Sequence, residues 1–377
     1  MFTVQKRLGL IAGVSALALI LGGCSSGGGA SPGVSSSAAA ADVAGAKALA
    51  AKYLADPTSI GVTAPLSAKV PTGKKILALT NAPVVEMEAD AMQVAAGKLG
   101  WDFDRVRIGS GAEDPQKAFE LAISQKPDGI YYTGFTTATM QQQLTEAKAA
   151  GIVVVSQSLG EDTPPESVAQ IRQNSTEDTN GELLGAQIVA ASNGKAHVLY
   201  VGLPRYPVTA RTPIGIQNSF DKFCPGCTVT QIQAEASDIG TNLPNAVVSE
   251  LQRDPTINYI AFNFGDMTTG VQAAIDAASL TDQATIVGAT PNNDNLTSLK
   301  SGGAGIFVDN LGPQMGWQVM DVFARAFLGD DVTVQEGAVP TQILTKDNIG
   351  AASIDGQGYW YAPSDYQEQY AKLWGLG

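Results

Sequence analysis

Histidine is almost missing from this chain of 377 residues: the one copy is His197. Acid–base relays and nitrogen-ligated metal sites draw heavily on histidine, so both have few players here. Cysteine is scarce too, with three copies, which excludes a disulfide-dense scaffold or a four-cysteine zinc site. Basic charge is in deficit. The 23 Lys and Arg against 36 Asp and Glu leave a formal charge of −13, which argues against a broad face for nucleic acid or anionic lipid. Catalytic signatures are lacking as well. No Gly-x-Ser-x-Gly elbow falls where strands and helices alternate, and there is no phosphate loop and no His-Glu-x-x-His. Gly109-Ser110-Gly111 lacks the rest of a dinucleotide fingerprint. The sequence therefore offers no catalytic residue, no cofactor site and no metal site, and it reads as a binder.

Long apolar runs are limited to one. Leu8 to Leu21 follows Lys6 and Arg7 and closes with Leu21-Gly22-Gly23-Cys24. A positive start, a short apolar stretch and small residues before the cut form the pattern of an export signal, and the run is short for a membrane span. The Cys directly after the small pair resembles the lipobox of bacterial lipoproteins. That resemblance implies a signal peptide over 1–23 and a lipid on Cys24; the other reading is an ordinary cleaved signal with an incidental Cys. Ser25 to Ala41 is a Ser/Gly/Ala tract without periodicity. It suits a flexible tether, and about 17 such residues span roughly 20–25 Å. The expected location is the cell surface or periplasm, held to the outer face of the cytoplasmic membrane by the lipid alone.

The remaining cysteines form Cys224-Pro-Gly-Cys227. Outside the cytoplasm a structural disulfide is the default. A redox-active pair needs a helix N-terminus or a nearby cation. Here the pair follows the apolar stripe Ile216, Phe220 and Phe223 and so sits at a helix C-terminus, where the dipole opposes a thiolate. A zinc site would need two more ligands.

The chain is long enough for two cores, and its order of elements repeats. Ile76–Leu79, Phe103–Ile108, Gly129–Tyr132 and Ile152–Val155 read as strands, separated by helical faces through Met87–Leu99, Ala118–Ala122 and Met140–Ala147. The series then restarts. His197–Val201, Thr228–Ile232, Tyr259–Phe262, Thr285–Val287 and Gly305–Val308 are strands, with helices ending at Phe223 and running through Val247–Leu251 and Val271–Leu280. A last helix carries Met315, Val319, Val322 and Phe323. This predicts an α/β fold of two doubly wound, parallel-sheet lobes, with ligand contacts in loops after the strands.

The phrases Leu79-Thr80-Asn81-Ala82-Pro83, Pro127-Asp128-Gly129-Ile130, Ala149-Ala150-Gly151-Ile152-Val153-Val154 and Ile286-Val287-Gly288, in this order, resemble the ribose-binding type of periplasmic solute receptors of ABC transporters, the type I periplasmic binding proteins. The likeness spans Lys74 to Asp347. It implies a hinge crossed three times, with residues 74–172 and 311–340 in the N-terminal lobe and 173–310 and 341–377 in the C-terminal lobe. Residues 24–73 hold the lipidated Cys, tether and N-terminal helix. It further implies a monomer that takes up a small-molecule ligand by lobe closure and delivers it to an ABC permease. A sensor that signals to a membrane kinase would share the fold, and a hydrolase in this fold is a further alternative.

Position by position, the resemblance carries Asn81, Val84 and Val85 after the first strand, where the family usually places aromatics. It carries Thr136 and Thr137 after the third and Ser158 with Leu159 after the fourth, where an acidic–basic pair is usual. Arg211 falls one residue out of register with a ligand-binding arginine. Phe264 stands near a usual Asn with Asp266 two residues on, Thr290 replaces an Asp, and Asn310 matches a hinge-proximal amide. With most charged anchors replaced, the implied solute is a sugar, polyol or organic acid that is small or partly apolar, with Arg211 free to take a carboxylate. Other readings stand beside these. Val84 and Val85 can seal the loop, Asp266 can cap a helix, Thr290 can serve a turn, and His197 reads as structural. Tyr366, Tyr370 and Trp374 share one helical face, which is expected to pack on the second lobe.

Overall fold

A computed structural model of the chain describes residues 40–376. The expected signal peptide, Cys24 and nearly all of the tether lie outside the described residues. Among the described residues, no helix is long and apolar enough to cross a membrane.

The first helix, α1 (Val43–Ala50), is started by Asp42, whose side chain accepts from the Gly45 N–H. Strands β1 (Lys75–Thr80), β2 (Asp102–Arg107), β3 (Gly129–Thr133), β4 (Val153–Gln157) and β5 (Ser167–Ile171) follow. They form one parallel sheet in the order β2-β1-β3-β4-β5. β1 and β3 are apolar along nearly their whole length because both faces are covered. The crossovers are α2 (Pro83–Leu99), α3 (Asp114–Ser124) and α4 (Thr137–Ala149). Proline in the first turn of α2 and Gly100 in the left-handed conformation at its end fix the limits of that helix.

The second lobe repeats the plan. Helix α5 (Asn174–Ala191) leads into β6 (His197–Gly202), α6 (Thr212–Phe223), β7 (Thr228–Gln233), α7 (Leu243–Arg253) and β8 (Tyr259–Phe262). α8 (Val271–Ala277), β9 (Thr285–Ala289), α9 (Asn293–Lys300) and β10 (Ile306–Asp309) complete it, with the later strand β11 (Gln342–Thr345) at the edge. Its order is β11-β10-β9-β8-β6-β7, parallel except for β11. Apart from that edge strand, the order matches the first sheet. α5 and α6 approach backbone to backbone: a Cβ on Gly215 would lie 2.1 Å from the Asp178 carbonyl oxygen.

Each sheet has an apolar cluster on either face. Between β10 and β11 the chain returns to the first lobe, where α10 (Pro313–Leu328) packs on α2. Both chain ends also pass from lobe to lobe. α1 lies in the second-lobe core through Ala46 and Ala50, whereas Ile60, Val62 and Val70 belong to the first-lobe core. At the other end Trp360 packs with Phe307 and Leu344 of the second lobe, after which α11 (Tyr366–Leu373) returns to the first. Here the expectation for residues 341–377 is corrected. Tyr366, Tyr370 and Trp374 do form one face, but that face meets Trp317 of α10, which stacks on Trp374 at 5.2 Å. The buried Asp321 carboxylate of α10 accepts from Trp374 Nε1 at 2.7 Å and so fixes the choice.

Cys224 and Cys227 are joined as a disulfide with Cα atoms 5.4 Å apart, just after α6. His197 starts β6, and its Nδ1 lies 2.5 Å from the Thr256 hydroxyl.

Candidate functional site

The carboxyl ends of both sheets face one another across a partly open cavity with about 600 Å³ of unoccupied space, which includes open solvent. The first lobe contributes the β1–α2 loop and first turns of α2 (Asn81, Ala82, Val84, Val85, Glu88), the end of β3 (Thr133, Gly134) and the end of β4 (Gln157, Ser158). The second contributes Tyr206 and Val208 after β6, Asn263 and Phe264 after β8, and Thr290 after β9. Arg172, Glu177 and Leu311 come from the segments that join the lobes. This is where open α/β sheets place ligands.

The lobes are in contact around the cavity. Gly160 of the first lobe sits so close to the second that a Cβ there would be 2.6 Å from the Val208 nitrogen. Tyr206 meets Phe135 edge-on at 6.0 Å and Phe264 at 6.4 Å. The Arg205 guanidinium lies over the Phe135 ring at 5.7 Å.

Of the residues expected from the sequence, Asn81, Val84, Val85, Ser158, Phe264 and Thr290 line the cavity. The others do different work. Thr136 caps α4 by accepting from Thr139 N–H, and Thr137 donates its hydroxyl to Glu161 at 2.5 Å. Arg211 is engaged by Asp178, its Nε donating at 2.9 Å, and is not part of the cavity wall. Asp178 holds its Nε and one amino nitrogen within the second lobe, so an ion pair stands where a ligand contact was expected. Asp266 borders an adjoining depression with Asn292, Asn293, Asp294 and Tyr359. Burial raises its pKa, offset in part by Asn292 and reinforced by Asp294. Asn310 is fully buried and donates to Asn180 at 2.6 Å and to Thr341 at 3.4 Å. It ties together segments of the lobe junction and does not face the solute space.

Sequence reading missed the charged lining and Tyr206. Arg172 is 3.1 Å from Glu177, both almost fully buried, and Ser158 donates to Glu177 at 3.1 Å. The Arg172 Nε remains without a partner. Glu88 accepts from Gln157 Nε2 at 2.7 Å and from the Tyr131 hydroxyl at 2.8 Å. Burial raises the Glu88 pKa, against the lowering effect of Gln157, Tyr131 and Arg172. Charged groups at the cavity thus come from positions other than those expected: two turns into α2, and the lobe junction itself. The missing aromatic wall is supplied by Tyr206 and Phe264 from the second lobe. A local signal exists in the backbone, since Ser158, Arg172 and Thr290 all have positive φ without being glycine, at 49°, 50° and 46°. Such residues cost about 1–3 kcal/mol each and cluster at working sites. Among the described residues, no group of three or more His, Cys, Asp or Glu is placed to hold a metal ion.

Several solved structures share the architecture. A glucose-galactose binding protein from Geobacillus stearothermophilus is 18% identical, with a TM-score of 0.65 over 74% of this chain and 99% of that chain. A 5-methylthioribose transporter solute binding protein from Thermotoga lettingae is 18% identical, with a TM-score of 0.65 over 83% and 95%. An ABC transporter solute binding protein from Mycobacterium smegmatis with bound glycerol is 17% identical, with a TM-score of 0.66 over 76% and 99%. At these identities the likeness establishes the two-lobed fold. No curated protein sequence matches the chain. The periplasmic binding protein domain matches residues 80–331, which run from the end of β1 through α10 and hold the other strands of both sheets except β11, together with the cavity between them. By that match, the chain belongs to the periplasmic binding protein domain family.

Proposed function

We infer that the protein is an extracytoplasmic receptor that closes its lobes on a small, neutral, hydroxylated solute and delivers it to an ABC-type permease. The carrying observation is the composition of the cavity between the lobes: the rings of Tyr206 and Phe264 from the second lobe, and the polar groups of Asn81, Gln157 and Arg172 from the first lobe and the junction. Aromatic faces suit the C–H surface of a sugar or polyol, and each hydroxyl removed from water needs a partner. Glucose, galactose, 5-methylthioribose and glycerol in the names of the similar structures support the class. The apolar surface of Val84, Val85, Val208 and Leu311 favours a solute with one poorly hydroxylated edge. The junction segments after β5, after β10 and before β11 are the natural hinge.

Mass spectrometry of gently purified protein is expected to find a neutral carbohydrate or polyol. Calorimetry with glucose, galactose, 5-methylthioribose and glycerol should detect binding by at least one of them. Phe264→Ala should then lower affinity at least tenfold, about 1.4 kcal/mol, whereas Arg211→Ala should leave it unchanged. Binding of none, or indifference to Phe264→Ala, overturns the reading. The tether is read in the same sense, and Cys24→Ala should move the protein from the membrane fraction to the soluble one.

A further inference from the structure

Glu88 is an unusual residue for its position. It lies on the buried face of α2 with no exposed surface, among Val85, Ala89 and Met92 of the apolar cluster. Its carboxylate is nevertheless fully used: Oε1 accepts from Gln157 Nε2 and Oε2 from Tyr131 Oη. The consequence falls on Gln157, which is 1% exposed and lines the cavity. A glutamine amide has a donor end and an acceptor end and can turn either way. Glu88 Oε1 takes the NH2 end, with Gln157 Nε2 donating to it at 2.7 Å. Gln157 Oε1 is then left buried and without a partner in the chain. Two further groups of the cavity lining are unpaired: Arg172 Nε, a donor, and Asn81 Oδ1, an acceptor.

We propose that Glu88 is a positioning residue that sets the hydrogen-bond polarity of the cavity, holding Gln157 so that only its acceptor oxygen meets the solute. This rests on the reading of the cavity as the solute site. A hydroxyl can donate to Gln157 Oε1 and can equally accept from Arg172 Nε. A carboxylate can meet Arg172, but at Gln157 it would set acceptor against acceptor. It would also compete with Glu177, which already pairs with that guanidinium at 3.1 Å. The cavity thereby selects alcohols and rejects the matching acids, so organic acids drop out of the solute class.

The test has a ligand-free arm and a binding arm. In the first, the side-chain amide signal of Gln157 is identified in the NMR spectrum by its loss in Gln157→Leu. Its protons should exchange slowly with solvent in the wild-type protein and at least tenfold faster in Glu88→Leu. In the second, affinities for glucose and galactose are compared with those for gluconate and galactonate. The wild-type protein should prefer the neutral member of a pair at least tenfold. Glu88→Gln, which lets the amide turn, should cut that preference at least threefold. The double variant Glu88→Gln with Gln157→Glu should regain it, because residue 157 is again an acceptor only; a merely structural role would not be rescued by the exchange. An amide signal indifferent to Glu88 overturns the proposal whatever binds, as does tighter binding of an acid than of its neutral partner. If the amide responds as expected but no neutral probe binds, the positioning role stands and the solute reading fails.

Discussion

Asp309 ends β10 where the chain leaves the second lobe, and it is 1% exposed. Burial pushes its carboxyl up to about 7, against the lowering effect of the Leu311 N–H, Arg172 and the Asn310 N–H. The folded protein therefore holds this proton over a range, from about pH 4 to about pH 7, in which the unfolded chain has released it. Stability from this group is present below that window and is lost as the pH rises through it. Denaturation of wild type and Asp309→Asn from about pH 4 to about pH 8 should show a decline that the variant lacks, at about 1.4 kcal/mol per pKa unit. Parallel curves would refute the assignment. The same residue scale shows what the sequence could disclose of the site. Asn81, Val84, Val85, Ser158, Phe264 and Thr290 were legible because they sit just after strands. Glu88 was not, because a carboxylate at an apolar helical position betrays nothing until Tyr131 and Gln157 are brought to it from two other strands.

Among the elements, α10 is the hub of the first lobe. Its Asp321 and Arg325 form a fully buried pair at 2.6 Å. Arg325 also donates to the Ala64 carbonyl at 2.7 Å, and Asp321 accepts from Trp374 and Gln335. One ion pair thus joins α10 to the N-terminal segment, to α11 and to the return toward β11. Removing one partner leaves the other charge buried, which costs about 3–5 kcal/mol. Asp321→Ala should accordingly lower the urea midpoint with little change in slope, and an unchanged midpoint would show that the pair is not the hub. Most of the repeating strands and helices of both lobes were legible from period and turn residues, but the edge strand β5 and the short α9 were not. α5 was not: it is buried by α1, α6, β9 and β10, so it carries no polar stripe to mark its period. β11 was also missed, being four residues whose placement depends on an antiparallel partner reached after α10.

For the molecule as a whole, closure depends on how near the lobes can come. Gly160 has φ of 79° and faces Pro207 and Val208 across the cleft, yet it is not part of the cavity wall. Gly160→Val should therefore fold but hold the lobes apart. A solute that needs the closed form should bind at least tenfold more weakly, by the fall in the competent population. X-ray scattering should find no contraction on adding solute; a normal contraction would show that the cleft tolerates the side chain.

The passage of both chain ends across the lobes bears on the order of assembly. The Asp42 N–H donates to the Phe223 carbonyl, and the Leu66 N–H donates to the Leu373 carbonyl at 3.0 Å. α1 cannot dock until α6 exists, and the Trp317 face of the first lobe stays open until Trp374, beyond the second sheet, has been made. Contacts so distant in sequence slow folding, so neither lobe can complete its core from its own stretch of chain alone.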